Sequence, residues 1–315
     1  MGEDSETDGK TDDDTGAPEL QFFVGGELVP ATEATVSVRD RGFTYGDAAF
    51  ETMRVYGGTV FRWDAHFDRL EATCETLSIP LPGSRAELRG RVVETLAAND
   101  LREASVRLSI TRGVDHRGLT PPEDPDPTVV IQVSPLPRGG VEGESTWDDP
   151  EVLQTVKTKR VPDESIPSDA KTHNYLNEIL ARLETRVSDA DEALVLDTDG
   201  NVAEAATANV WFVDDNALRT PSLDGPILPG VTRDVVLDLA AEEGIPVEEG
   251  TYTPDEIRAA DEAFLTSSIR EIRPVERLDG VEVGGGPVTA LLARLYDARV
   301  ERECYESDDD QASGP

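Results

Sequence analysis

Lysine is nearly missing from this chain of 315 residues, which carries four against 25 arginines. Histidine is as scarce: His66, His116 and His173 stand far apart, with no zinc-ligand spacing, so no metal centre is expected. Two cysteines, Cys74 and Cys304, lie outside any CxxC motif and exclude a disulfide framework. No apolar run approaches the ~20 residues of a membrane-spanning helix. The acidic N-terminus lacks the basic and apolar regions of a signal peptide, so the expected compartment is the cytoplasm. Positive charge is short as well, 29 basic residues against 65 acidic ones and a net charge of −36. Such a field repels nucleic acid and anionic membranes, and neither is expected as a partner. The acid is spread through every segment rather than blocked. That favours a salt-adapted surface over an acidic partner module, because a Debye length of ~3 Å at 1 M salt makes self-repulsion tolerable.

Of the four lysines, Lys10 lies in an acidic tail, and Lys157 and Lys159 alternate with threonine along a strand-like run. Lys171 alone sits at the entrance to an amphipathic helix, in Ser168-Asp169-Ala170-Lys171-Thr172-His173-Asn174-Tyr175-Leu176. A chain that avoids lysine but keeps one there points to a need for a primary amine. Imine formation is the chemistry a guanidinium cannot supply.

The chain length predicts two domains. Residues 1–18 and 307–315 are polar and acidic and are expected to be disordered. Glycine pairs predict hairpins: Leu20 to Val24 with Leu28-Val29 about Gly25-Gly26, and Met53 to Tyr56 with Thr59 to Phe61 about Gly57-Gly58. Asp64 is expected to cap a helix bearing Phe67, Leu70, Cys74 and Leu77, and Ser84 with Glu87 forms a capping box for a second. Strands follow at Ser105 to Ile110 and Val129 to Val133. Residues 138–147 read as an interdomain linker between 19–137 and 148–306. Beyond it come a strand at Val152 to Lys159 and a helix with Leu176, Ile179, Leu180, Leu183 and Val187 on one face. Turns at Asp199-Gly200 and Asp214-Asp215-Asn216 predict further hairpins. A helix opens after Pro229-Gly230, with Val235, Val236, Leu239 and Ala240 inward, and stops at Gly244. A strand at Ala263 to Leu265 and a helix from Val288 complete two α+β domains.

Four segments carry candidate chemistry: the Lys171 amine, the acid Glu204 among small residues, a helix start at Leu228 to Arg233 that could seat a phosphate, and Arg69. Taken singly, Glu204 reads as a solvent-facing acid, the Leu228 segment as a plain helix start, and Arg69, opposite the Phe67-Leu70 stripe, as a surface residue. In this order they resemble the fold-type IV pyridoxal 5′-phosphate (PLP) enzymes, the class IV aminotransferases. The matching stretches are Asp40 to Asp47, Phe50 to Arg54, His66 to Leu70, Lys171 to Asn177, Glu204 to Asn209, Leu228 to Asp234 and Thr266-Ser267-Ser268. They span about residues 22–300, nearly the whole ordered chain. The family includes branched-chain aminotransferases, D-amino-acid transaminases and 4-amino-4-deoxychorismate lyases.

The resemblance implies a small N-terminal domain, 19–137, and a larger PLP-binding domain, 148–306. It implies that Lys171 holds the cofactor aldehyde and moves the proton between Cα and C4′, that Glu204 pairs with the pyridine nitrogen, and that Tyr175 bonds the 3-hydroxyl. Arg69, the amides of Val231 and Thr232, and the Ser268 hydroxyl would hold the phosphate. Ser268 stands where other members carry threonine, and the hydroxyl is kept. Tyr45, Phe50 and Arg54 resemble the pocket wall of branched-chain aminotransferases, with Ser267 and Ile269 beside it; Arg107 and Arg117 fall in the region expected to meet the substrate carboxylate. The four-residue spacing of Lys171 and Tyr175 is shared by D-amino-acid transaminases and the lyases, and the Phe50 to Arg54 run and the loop Thr111 to Leu119 resemble the lyases. The Arg-x-His trap of D-amino-acid transaminases is missing, since Arg117 precedes Gly118-Leu119. The expected activity is amino transfer between an aliphatic amino acid and a 2-oxo acid, with aminodeoxychorismate cleavage as the alternative. A non-catalytic acidic binding protein is the remote one. Family members also imply a homodimer.

Overall fold

The computed structural model describes residues 19–115, 118–138 and 149–306. The two expected disordered tails, Arg117 and all of the 138–147 linker except Arg138 lie outside them. In chain order the first half holds β1 (Gln21–Val24), β2 (Glu27–Pro30), α1 (Arg41–Tyr45), β3 (Ala48–Tyr56), β4 (Thr59–Val60), α2 (Trp63–Leu77), α3 (Arg85–Ala98), β5 (Ala104–Thr111) and β6 (Thr128–Pro135). The second half holds β7 (Glu151–Lys159), α4 (Leu176–Thr185), β8 (Glu192–Leu196), β9 (Val202–Ala205), β10 (Asn209–Asp214) and β11 (Ala217–Pro221). It continues with α5 (Val231–Glu243), β12 (Val247–Gly250), α6 (Pro254–Arg258), β13 (Glu262–Ser267), β14 (Glu271–Leu278), β15 (Val281–Glu282) and α7 (Pro287–Cys304).

Six strands make one sheet in the order β2-β1-β6-β5-β3-β4, antiparallel throughout. Its core packs Met53, Val55, Val106, Leu108 and Ile131 against Phe67, Leu70 and Cys74 of α2 and Leu88 and Val92 of α3. The second sheet runs β12-β11-β10-β13-β14-β7-β8-β9, with β15 on β14. It is mixed, since β11–β12, β14–β7 and β7–β8 pair in parallel. Helices and hairpins on both sheets give the expected α+β architecture. The inward residues of α5 and of α7 pack on the second sheet about Trp211 and Phe264. Those two rings stack at 5.8 Å and 5°, and the indole donates to Thr266 at 3.0 Å. Trp211→Ala should therefore cost about 4 kcal/mol, seen as a lower denaturant midpoint in chemical unfolding.

One helix start differs from expectation. Helix α2 begins at Trp63, and the residue before it is Arg62 at φ 53°, with no side-chain cap. Asp64 instead lies in the first turn, where its charge suits the helix dipole, and accepts from Arg85 at 3.1 Å. The capping box of Ser84 and Glu87 and the left-handed Gly244 stop are formed as expected.

Candidate active site

Strand β4 is two residues long and pairs only with Val55 and Tyr56, so the start of β3 has an open edge. Residues 171–173 fill it. Phe50 donates its amide to the Lys171 carbonyl at 3.0 Å, and His173 donates to Ala48 at 3.0 Å. The Lys171 amide in turn donates to Thr73 Oγ1 at 3.0 Å, whose hydroxyl bonds the Arg69 carbonyl one turn back along α2. The lysine backbone is thus fixed from the first sheet and its helix, while the side chain projects into a cavity of about 360 Å³.

Inside, Lys171 Nζ donates to the Tyr175 hydroxyl at 2.9 Å and lies 4.7 Å from the Phe50 ring centre. Glu204, on β9, is buried on the same cavity. Burial pushes its carboxyl up to about 7, against the pull of Arg160. Arg160 Nε lies 3.0 Å from Glu204, and its Nη1 pairs with Glu178 at 2.5 Å. The other Glu204 oxygen accepts from the Leu228 amide at 3.1 Å and from Asn209 at 3.4 Å, and Asn209 also holds the Leu228 carbonyl at 2.9 Å. The acid is so tied to the turn that opens α5.

That turn ends at Gly230, where a Cβ would stand 2.0 Å from Asn209 Oδ1. Glycine lets the backbone close on Asn209, and α5 opens at the cavity with Val231 and Thr232 on its lining, their first-turn amides without intrahelical partners. Arg69 reaches the same turn, donating to the Pro229 carbonyl at 2.7 Å. It is not the surface residue its helix position suggested: 10% of its side chain is exposed, and two of its nitrogens bond Glu51 at 2.7 Å. Glu51 is fully buried; burial raises its carboxyl, but Arg69 and then His66 outweigh that and hold it down to about 2. His66 Nδ1 meets Glu51 at 2.7 Å, and Nε2 faces Ser268 Oγ at 3.4 Å.

The cavity therefore brings together Arg69, Lys171, Tyr175, Glu204, Val231, Thr232 and Ser268, and also Phe50, Arg107, Ser267 and Ile269. Arg107 stacks on Phe50 with its guanidinium carbon 3.7 Å from the ring centre, and burial lowers its pKa. Two expected pocket residues lie off it. Arg54 shares the face of Phe50 and Thr52, but one step further along β3 carries it ~7 Å past the cavity. There it is 1% exposed and donates to the carbonyls of Ile269, Leu136 and Pro137 at 3.2, 3.3 and 2.7 Å, clamping the wall from behind. Tyr45 ends α1, 40% exposed under Arg41. Sequence reasoning missed Arg160, Thr73, Glu51 and His66 as parts of the site. Glu51 and His66 lay inside recognised motifs; nothing local marked the other two.

The donor set suits PLP. An amine, a buried acid across the cavity and a glycine-opened helix start with an arginine beside it correspond to its aldehyde, ring nitrogen and phosphate. Comparison with known proteins agrees. The amino-transferase class IV family matches residues 48–278. A Methanocaldococcus jannaschii protein assigned as a branched-chain-amino-acid aminotransferase is 38% identical over 276 residues, covering 88% of this chain and 94% of that one. The D-alanine aminotransferase of Listeria monocytogenes is 33% identical over 296 residues, covering 91% and 98%. Among solved structures, the T.th. branched-chain aminotransferase with pyridoxamine 5′-phosphate superimposes with a TM-score of 0.83 at 30% identity, over 90% of this chain and 94% of that one. With the lysine, the acid and the turn that opens α5 converging on one cavity in a fold shared this fully, the chain belongs to the class IV aminotransferase family.

Proposed function

We propose that this PLP-dependent aminotransferase moves an amino group between an aliphatic α-amino acid and a 2-oxo acid at the Lys171 cavity. The observation that carries the reading is the Lys171 amine, 2.9 Å from Tyr175, in a cavity shared with Glu204 and the start of α5. When bound, PLP would supply an electron sink for the electron pair released as the amino acid's Cα loses its proton. Lys171 would hold the cofactor and move the proton between Cα and C4′. Glu204, oriented by Arg160 and Asn209, keeps the pyridine nitrogen protonated. Tyr175 bonds the 3-hydroxyl, and Arg69, the Val231 and Thr232 amides and Ser268 hold the phosphate. Phe50 and Ile269 offer the substrate side chain an apolar wall; Arg107, with Ser267, draws a carboxylate. Arg117 and Tyr45 belong to the same substrate end by resemblance.

The test is a coupled assay on purified enzyme with aliphatic amino acids of both hands. Glutamate formed from 2-oxoglutarate supports transfer. Pyruvate released from aminodeoxychorismate without an acceptor would replace it with the lyase, the reading that the Phe50 to Arg54 run and the Thr111 to Leu119 loop favour. Dominant turnover of D-alanine would move the assignment to the D-amino-acid branch.

The assembly we propose is a homodimer. Leu176, Ile179, Leu180 and Leu183 form the expected helical stripe, while Val187 falls in the turn after α4 ends at Thr185; all are exposed, at 65, 53, 47, 43 and 93%. A second apolar patch stands at Val38, Phe43, Val114 and Leu119, where Arg41 grips the carbonyls of Gly118 and Leu119 at 2.6 and 3.1 Å. Faces of this kind mark interfaces. Leu180→Asp should weaken self-association at least ~30-fold, read as a shift from dimer to monomer in sedimentation. The compartment we propose is a salt-rich cytoplasm, supported by 65 acids against 29 bases. The thermal midpoint should then climb as potassium chloride rises from ~0.1 to ~2 M, as mutual repulsion is screened. Among the described residues no helix is long and apolar enough to cross a membrane.

A further inference from the structure

We propose that His66 is a proton-coupled positioning residue of the phosphate seat: it takes up one proton at Nε2 when a phosphate dianion meets Ser268. The inference rests on the cofactor reading above. It follows from counting hydrogens along one chain of contacts, Glu51–His66–Ser268.

Glu51 projects from β3 with no exposed surface and accepts three bonds, from Arg69 Nε and Nη2 and from His66 Nδ1, each at 2.7 Å. An ionised carboxylate only accepts, so Nδ1 must carry its hydrogen. A neutral imidazole has one hydrogen to place. Its Nε2 is therefore bare and accepts, and the group it faces is the Ser268 hydroxyl at 3.4 Å. That arrangement is self-consistent, with Ser268 donating to His66.

A phosphate dianion breaks that consistency, because it too only accepts. Ser268 has one hydrogen and two claimants. Turned toward phosphate, it leaves the lone pairs of Oγ and Nε2 facing each other, unless Nε2 gains a hydrogen of its own. The balance is simple: a buffer acid gives up a proton, an N–H bond forms at Nε2, and no bond in the protein breaks. Charge points the same way. The groups facing the imidazole are Glu51 from β3, Arg69 from its own helix and Lys171 from the loop before α4. Burial lowers the His66 pKa below its ordinary 6.5, against the pull of Glu51. Arg69 and Glu51 neutralise each other within the seat, so the dianion brings charge that His66 is placed to answer. This assigns the histidine of the His66 to Leu70 motif a task apart from simple packing.

The experiment uses the full chain, stripped of cofactor and labelled with ¹⁵N-histidine; three histidines give three imidazoles to follow. Inorganic phosphate is the first probe, at pH ~8 where the dianion predominates, and PLP the second. Before loading, His66 should show one protonated and one bare nitrogen; after loading, both should be protonated. Titration calorimetry with phosphate in two buffers of different ionisation enthalpy should return uptake of about one proton, and Kd should weaken about tenfold per pH unit above that point. A bare Nε2 that persists in the loaded protein, or proton uptake near zero, overturns the proposal. Assignment comes from His66→Gln, which should also bind phosphate without proton uptake. Should that variant not fold, His116→Gln and His173→Gln identify the remaining signal by elimination. If PLP is held on Lys171 while Nε2 stays bare, the coupling is wrong and the cofactor site stands. If neither phosphate nor PLP binds, the cofactor reading fails and takes this inference with it.

Discussion

Lys171→Ala should lower amino transfer at least ~10⁴-fold, since one side chain both holds the cofactor and carries the proton. The same variant should lose the visible absorbance of bound PLP and the adduct trapped by borohydride. It should still fold. The backbone of residue 171 keeps its bonds to Thr73 and Phe50, and the amine it loses touches a phenol hydroxyl rather than a carboxylate. A thermal midpoint close to wild type is therefore expected beside the lost colour. Lys171→Arg sharpens the point, because a guanidinium keeps the charge over Phe50 and Tyr175 but cannot form an imine. Retained colour in either variant would remove Lys171 from the catalytic role.

Scarcity made Lys171 legible in the sequence itself, because a residue type avoided elsewhere stands out wherever it is kept. Glycine signals were equally legible. Gly25-Gly26 and Gly57-Gly58 adopt the positive φ values that close their hairpins, and Gly244 ends α5 at φ 69°. Strand β14 was not legible: Glu271 to Leu278 carries Pro274 and four charged residues, yet it pairs with both β13 and β7. Two of its charges meet tertiary partners, Arg273 at Glu151 (3.5 Å) and Glu271 at Tyr56, and no local pattern reports those. Arg160 was hidden for a related reason. It follows a strand of alternating lysine and threonine that reads as a solvent face, and only folding brings it to Glu204. Thr73 lay on a helix scanned for Phe67, Leu70 and Cys74, where a threonine carries no pattern. The stripe on α4 was correctly periodic, but periodicity cannot say whether the apolar face meets its own chain or another.

Glu204→Gln should speed nothing and stabilise the empty protein. At Glu204 burial raises the carboxyl from 4.5 to about 7 despite Arg160 at 3.0 Å. A carboxyl whose pKa is higher in the fold than in the open chain favours the fold while it is protonated. That contribution is complete below the unfolded value and is lost as pH rises through about 7. At pH ~8 the cofactor-free wild type must therefore bury an anion, and glutamine removes that burden. The cofactor-free variant should be more stable there by on the order of 2 kcal/mol, with the difference closing toward pH ~4. Arg160 is not stranded by the change, since it keeps Glu178. Activity should move the other way, by ~10²–10³-fold, because an amide cannot hold a proton on the pyridine nitrogen as a carboxylate does. The readouts are chemical unfolding across pH for the first effect and single-turnover rates for the second. Stability gained together with rate lost is the signature of a group kept for chemistry against the interest of the fold. A variant no more stable than wild type at pH ~8, or one within threefold of its rate, would place Glu204 among ordinary buried acids.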